Sequence, residues 1–106
     1  MITVTIHRSN DSYAGFKVVG HAGYAEEGYD IICAAVSVLV VNAVNSIETF
    51  TDDKFAARED HGIVELILEG SVSDTTTLLL DSMILGLRDI QTQYGNEFIR
   101  LKIEEV

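Results

Sequence analysis

The order of hydrophobic patterns predicts an α+β fold, a single-domain two-layer sandwich over residues 1–106 with two helices on one side of a mixed β-sheet, arranged β-β-α-β-β-α-β. Three observations carry this. Three short segments alternate apolar and polar residues with a period of two and two more read as their hairpin partners, two long segments have helical length, and 106 residues that are 47% hydrophobic suffice for one core.

Ile2, Val4 and Ile6 alternate with Thr3, Thr5 and His7, the signature of a strand with one buried face. Ser9-Asn10-Asp11-Ser12 has turn chemistry, and Tyr13 to Val19 follows as the hairpin partner, delivering Gly20-His21 at a sheet edge. Ile31 to about Phe50 is helical in length and apolar almost all round, so it requires cover on more than one side. Its longest apolar run, Ile31 to Val41, is about half of the roughly 20 residues a membrane span requires, which predicts a core helix and no membrane partner. Lys54 to Glu59 and Ile63 to Glu69, joined by Asp60-His61-Gly62, read as a second hairpin with Val64, Leu66 and Leu68 inward. Ser73 or Asp74 caps a helix striped by Leu79, Leu80, Met83, Ile84, Leu87, Ile90 and Tyr94 and stopped by Gly95. Phe98 to Glu104 closes the chain as a strand burying Ile99, Leu101 and Ile103.

Composition limits function. A net charge of −10 argues against direct nucleic-acid binding, which rests on clustered Lys and Arg, but suits a basic protein or peptide partner. The opening residues lack a basic and apolar leader, and one cysteine allows no internal disulfide, so a cytoplasmic location is expected. No closely spaced Cys or His pair nucleates a metal site, and Gly20, Gly23 and Gly28 do not form a phosphate-binding loop; no metal and no cofactor are expected.

The chemistry concentrates in Gly20-His21-Ala22-Gly23-Tyr24-Ala25-Glu26-Glu27-Gly28-Tyr29-Asp30-Ile31-Ile32-Cys33. With Asp30 as N-cap, Cys33 stands at the third helical position, where unpaired amides and the positive end of the dipole favour a thiolate and can donate to an oxyanion. His21 is the matching general base, since an imidazole near a thiol accepts its proton and returns it to a leaving amine. Gly23 and Gly28 permit the loop between them to fold back, with Tyr24, Glu26, Glu27 and Tyr29 as a flexible flap over substrate. A lone cysteine on an apolar helix serves equally as a small core residue, and an aspartate before a helix as a cap alone.

Gly20-His21-Ala22, followed after a glycine-containing loop by Gly28-x-Asp30-Ile31-Ile32-Cys33-Ala34-Ala35-x-Ser37, resembles the signature of the bacterial ribosomal-processing cysteine protease family, Prp (YsxB-like). Weaker likeness extends through Met1-Ile2-Thr3-Val4, Val44-Asn45-Ser46-Ile47 and Tyr94-Gly95-Asn96 with Ile99-Arg100-Leu101. The resemblance implies a cysteine endopeptidase that removes the N-terminal extension of a large-subunit ribosomal protein during ribosome maturation. It implies His21 and Cys33 as the catalytic dyad, with Asp30 and Ser37 in supporting positions. The near-uniformly apolar first helix adds the expectation of a homodimer. The alternative function is a non-catalytic ribosome-assembly or adaptor protein that binds basic proteins through its acidic surface.

Overall fold

In a computed structural model, which describes residues 1–20, 29–60 and 62–106 apart from the side chains of Tyr29 and Asp30, the chain forms the elements in the predicted order. These are β1 (Ile2–Ser9), β2 (Ser12–Val19), α1 (Tyr29–Phe50), β3 (Lys54–Asp60), β4 (Ile63–Glu69), α2 (Asp74–Tyr94) and β5 (Ile99–Glu105). The sheet order is β3-β4-β2-β1-β5, with β1 and β5 parallel and the other pairs antiparallel.

One face of this sheet is dry. Ile2, Val4 and Ile6 of β1, Phe16 and Val18 of β2, Val64 and Leu66 of β4 and Ile99 of β5 are all buried, and their sheet neighbours in sequence are not, apart from Gly15 beside Phe16. Both helices therefore pack on that face, contributing Ile32, Val36, Val40, Ala43 and Ile47 from α1 and Leu80, Met83, Ile84 and Leu87 from α2. Each fully buried aliphatic side chain is worth about 1.5–3 kcal/mol, so this one-sided core is the dominant stabilising term. The helices approach closely at Gly86, where a Cβ would lie 2.9 Å from the Cδ atoms of Leu39.

Several sequence expectations need correction. β2 is an inner strand between β4 and β1, so the chain leaves toward His21 from the end of an interior strand, not from a sheet edge. Ile103 is 50% exposed and Tyr94 47% exposed, so neither belongs to the buried set that its sequence pattern predicts. The predicted Ser9–Ser12 turn is tighter: Ser9 pairs with Ser12, and only Asn10 and Asp11 turn, both with positive φ (52° and 64°), as a two-residue hairpin demands. The helical segment Ile31–Phe50 is by length and composition sufficient to cross a membrane, longer than the apolar run alone suggested, yet its inner face is built into the core.

The strand directions sort the connections into two ends. Val19, Thr3, Ile63 and Arg100 lie at one end of the sheet, where β2 runs out toward the segment 21–28. Phe50 is linked by a short connection to Lys54, which pairs with Glu69 at the opposite end, so α1 starts at the Gly20 end and runs away from it.

The opposite end is clamped by side chains. Ser73 caps α2, its hydroxyl accepting from the Thr76 amide at 3.2 Å and donating to Asp53 at 2.8 Å, while its own amide donates to the same carboxylate at 2.9 Å. Bonds from Thr76 and Ser73 hold the Asp53 carboxyl below its ordinary range. On the sheet's flank the buried Tyr13 hydroxyl donates to Asp81 of α2 under the Arg8 guanidinium, and burial together with Asp81 pushes its pKa up to about 12.

A lowered folded-state pKa stabilises the fold above the unfolded value of about 4, and that contribution is lost as pH falls through the folded value. Asp53→Asn is therefore expected to cost about 1 kcal/mol at pH 7 in urea unfolding, the scale of a helix-cap bond, and the gap to wild type is expected to close as pH falls toward 3.

Candidate active site

Gly20 fixes where the functional segment begins. Its φ is +94°, a Cβ there would sit 2.6 Å from the Met1 carbonyl oxygen, and its amide donates to the Gly62 carbonyl at 2.9 Å. Only glycine satisfies this backbone and this approach, so the chain enters the next residue, His21, from a sterically fixed point between β1 and β4. His21 itself, with Ala22, Gly23, Tyr24, Glu26, Glu27 and Gly28, lies outside the described residues, as do the side chains of Tyr29 and Asp30.

The helix begins at Tyr29, so Asp30 is its second residue and Cys33 its fifth, two positions deeper than an Asp30 cap predicts. The difference changes which groups face the thiol. The amide of a fifth helical residue bonds back to the first, whereas the amides of residues 29–31 have no intrahelical acceptor. Helical side chains lean toward the N-terminus, so the surface that a residue at position 33 covers is that of the preceding turn. The helix start thus offers the thiol a positive dipole end and offers a developing oxyanion its donors.

Cys33 is buried, with 8% of its surface exposed, and belongs to the core cluster. Ser37, one turn further, is half-buried and lines an open depression of about 390 Å³ with Val38, Val41, Asn42 and Asn45. The structure thus brings Cys33 and Ser37 to the same side of α1 at the Gly20 end. Val41 and Asn45, which line the same depression, escape sequence reasoning because they read as part of an apolar helix; their i, i+4 spacing from Ser37 and from each other traces a line that winds gradually round α1. Among the described residues no group of three His, Cys, Asp or Glu side chains is placed to hold a metal.

The family model for cysteine protease Prp matches residues 1–99. The chain belongs to the Prp family. The ribosomal processing cysteine protease Prp of Bacillus subtilis is 33% identical over 101 residues, covering 89% of this chain and 90% of that protein. The protein of the same name from Staphylococcus aureus is 32% identical over 104 residues, covering 95% and 97%. A crystal structure of the Staphylococcus aureus Prp protease in complex with a substrate peptide superposes with a TM-score of 0.90 at 30% identity, over 98% of this chain and 100% of that one. A second, with a covalently linked product peptide, superposes with a TM-score of 0.86 at 31% identity over the same shares. The chain is therefore a cysteine protease of ribosomal processing, on the mixed-sheet sandwich that the Prp structures share.

The thiol environment has a direct readout. Iodoacetamide is expected to alkylate Cys33 in the native protein with an apparent pKa below the ordinary thiol value of about 8.5, followed by mass across pH 5.5–9. A thiol inert until denaturation would make it a core residue only.

Proposed function

We propose that this Prp-family protease removes the N-terminal extension of a large-subunit ribosomal protein, with Cys33 as nucleophile and His21 as general base. The observation that carries the assignment is the position of Cys33, the chain's one cysteine in a cysteine protease family, one turn into α1. His21 follows the sterically fixed Gly20 at the same end of the sheet.

In this mechanism His21 takes the thiol proton and the sulfur attacks the scissile carbonyl, forming the C–S bond as the carbonyl electrons move to oxygen. The amides of residues 29–31 hold that oxyanion. Collapse breaks the C–N bond, His21 gives its proton to the leaving amine, and a water then hydrolyses the thioester, restoring the thiol and releasing a carboxylate. A covalently linked peptide in the Staphylococcus aureus relative is the kind of species that a nucleophilic thiol generates. Asp30 and Ser37 support the site from the same helix, and the segment from Gly20 to Tyr29, glycine-rich and carrying Glu26 and Glu27, acts as the loop over substrate. A chain of net charge −10 complements a basic ribosomal protein and speeds its encounter. The setting is the cytoplasm, where such a substrate is made and a lone thiol stays reduced.

The enzyme acts as a homodimer in this proposal. Ile31 and Val38 of α1 are 65% and 67% exposed, Leu78 and Leu85 of α2 equally so, and helical spacing aims all four away from the sheet. The residues between them, Ala35, Asn42 and Ser82, are uncharged in an otherwise strongly acidic molecule, the composition of a dimer face with a depleted charge core.

Incubation with an N-terminally extended large-subunit ribosomal protein is expected to yield one shortened product by mass, and Cys33→Ala to slow its formation at least a thousandfold; full cleavage by that variant would remove the nucleophile assignment. Sedimentation equilibrium is expected to give twice the chain mass, and Val38→Asp to return it to monomer.

A further inference from the structure

A net charge of −10 argues against binding a phosphate backbone only where the charges are evenly mixed, and in this molecule they are sorted by face. Both helices lie on one side of the sheet and leave the other side open. Thr3 and Thr5 alternate with the buried Ile2, Val4 and Ile6; Thr3 pairs with Val19 and Arg100, and Thr5 with Lys17 and Lys102, so all six residues share the open face. On the neighbouring strands Glu65 stands opposite both Lys17 and Arg58, Glu69 opposite Lys54, and Asp60 opposite Ile63, while Glu104 of β5 stands opposite His7. The open face therefore holds five of the chain's seven Lys and Arg but four of its seventeen Asp and Glu.

Within that face the charges divide again. Lys54 and Arg58 of β3 stand directly across from carboxylates, and Arg58 reaches Glu65 at 3.4 Å. The six positions where β2, β1 and β5 run side by side hold three cations, two hydroxyls, Val19 and no carboxylate. The bordering carboxylates are Glu65, already engaged by Arg58, and Glu104 further along β5. Strand geometry sets Lys17, Arg100 and Lys102 about 7–10 Å apart around the two threonines. The patch lies at the end of the sheet from which β2 runs out toward residues 21–28, on the side away from the helices.

We propose that this end of the open face is a docking surface for RNA, with Lys17, Arg100 and Lys102 neutralising backbone phosphates and the Thr3 and Thr5 hydroxyls donating to phosphate oxygens. The choice of RNA rests on the ribosomal-protein substrate proposed above, which the enzyme meets beside RNA. Three features select a phosphate backbone. The cations stand together without carboxylates among them, the reverse of the rest of the molecule. Threonine hydroxyls are short donors of the kind that contact phosphate and sugar. A broad, open sheet face follows an extended polyanion, whereas a small anion is held in a concave pocket. Three phosphate contacts give a weak hold by themselves, but RNA on the open face and its bound ribosomal protein at the thiol would engage one enzyme together, so a modest affinity suffices. The same patch relieves the repulsion between a strongly acidic enzyme and RNA-bound substrate.

The test follows the anisotropy of a fluorescein-labelled oligouridylate of about 20 nucleotides titrated with the full chain, between about 20 and 200 mM salt. The logarithm of affinity is expected to fall against the logarithm of salt concentration with a slope of about −2, the value for three neutralised phosphates on a single strand. Lys17→Gln, Arg100→Gln and Lys102→Gln together are expected to weaken binding at least tenfold at the lowest salt with the thermal midpoint unchanged, and Lys54→Gln with Arg58→Gln to stay within threefold. Cleavage of the free ribosomal protein is expected to be equal in wild type and triple variant, and cleavage of the same protein bound to ribosomal RNA to be slower in the triple variant. Absence of RNA binding at the lowest salt, or unaltered affinity in the triple variant, would overturn the docking face and leave the protease assignment standing. Failure of the wild type to cleave the free protein would overturn the substrate reading, while the RNA titration would still decide the face. Equal affinity for a polyglutamate of the same length would give the face to an acidic protein and overturn the proposal.

Discussion

The one-sided core is the constraint on which everything else depends. Because a strand's side chains alternate, burying Ile2, Val4, Ile6, Phe16, Val18, Val64, Leu66 and Ile99 together permits only one register for each strand pair, since a slip of one residue would turn a whole strand's apolar set to water. That register places the end of β2, the start of β4 and the start of β5 side by side, and it sends α1 off from the same end. The catalytic end is thus a consequence of hydrophobic alternation far from any chemistry. The opposite end is held by polar bonds among Asp53, Ser73 and Thr76, which fix the start of α2 and leave the site end to be shaped by backbone geometry at Gly20.

Within that frame α1 has two jobs that conflict. A core helix wants its apolar stripe buried, and Ile32, Val36, Val40 and Ile47 comply. A reacting cysteine has to be reached by its substrate, whereas Cys33 belongs to the core cluster, buried, four residues beyond the first residue of α1. Burial in an apolar setting raises a thiol's pKa and the helix dipole lowers it. Moving the cysteine one turn deeper would keep the burial and lose the dipole.

Most of the fold was legible in the sequence because it is written in local periods. Period-two alternation located β1, β4 and β5, hairpin turns located their partners β2 and β3, and the spacing of Leu80, Met83, Ile84 and Leu87 with Ser73 before and Gly95 after located α2. What was not legible depends on which neighbour covers which residue. Ile103 continues a perfect alternation and Tyr94 a perfect helical stripe, yet both are half exposed. The nature of β2 as an inner strand was hidden for the same reason, since its pairing with β4 spans a 22-residue helix and another strand. At the site, Gly20, Cys33 and Ser37 could be singled out by residue type and motif, while the helix start was misplaced because the apolar run and the capping aspartate locate a helix end only to a residue or two.

The residues flanking the site were hardest to read for a further reason. Val41 and Ala57 are ordinary aliphatic side chains, distinguished only by what fails to cover them. A two-layer sandwich with an odd strand leaves a gap whose floor is the last strand and whose wall is the last helix, whatever the sequence. Here the last helix is also the one that carries Cys33, so the gap and the thiol share a flank. Exchanging the helices, so that α2 stood beside β3, would preserve the core and separate the two. The right-handed crossover that joins parallel strands and the short link from Phe50 to Lys54 both oppose that exchange, so chain connectivity puts the open trough beside the reactive end.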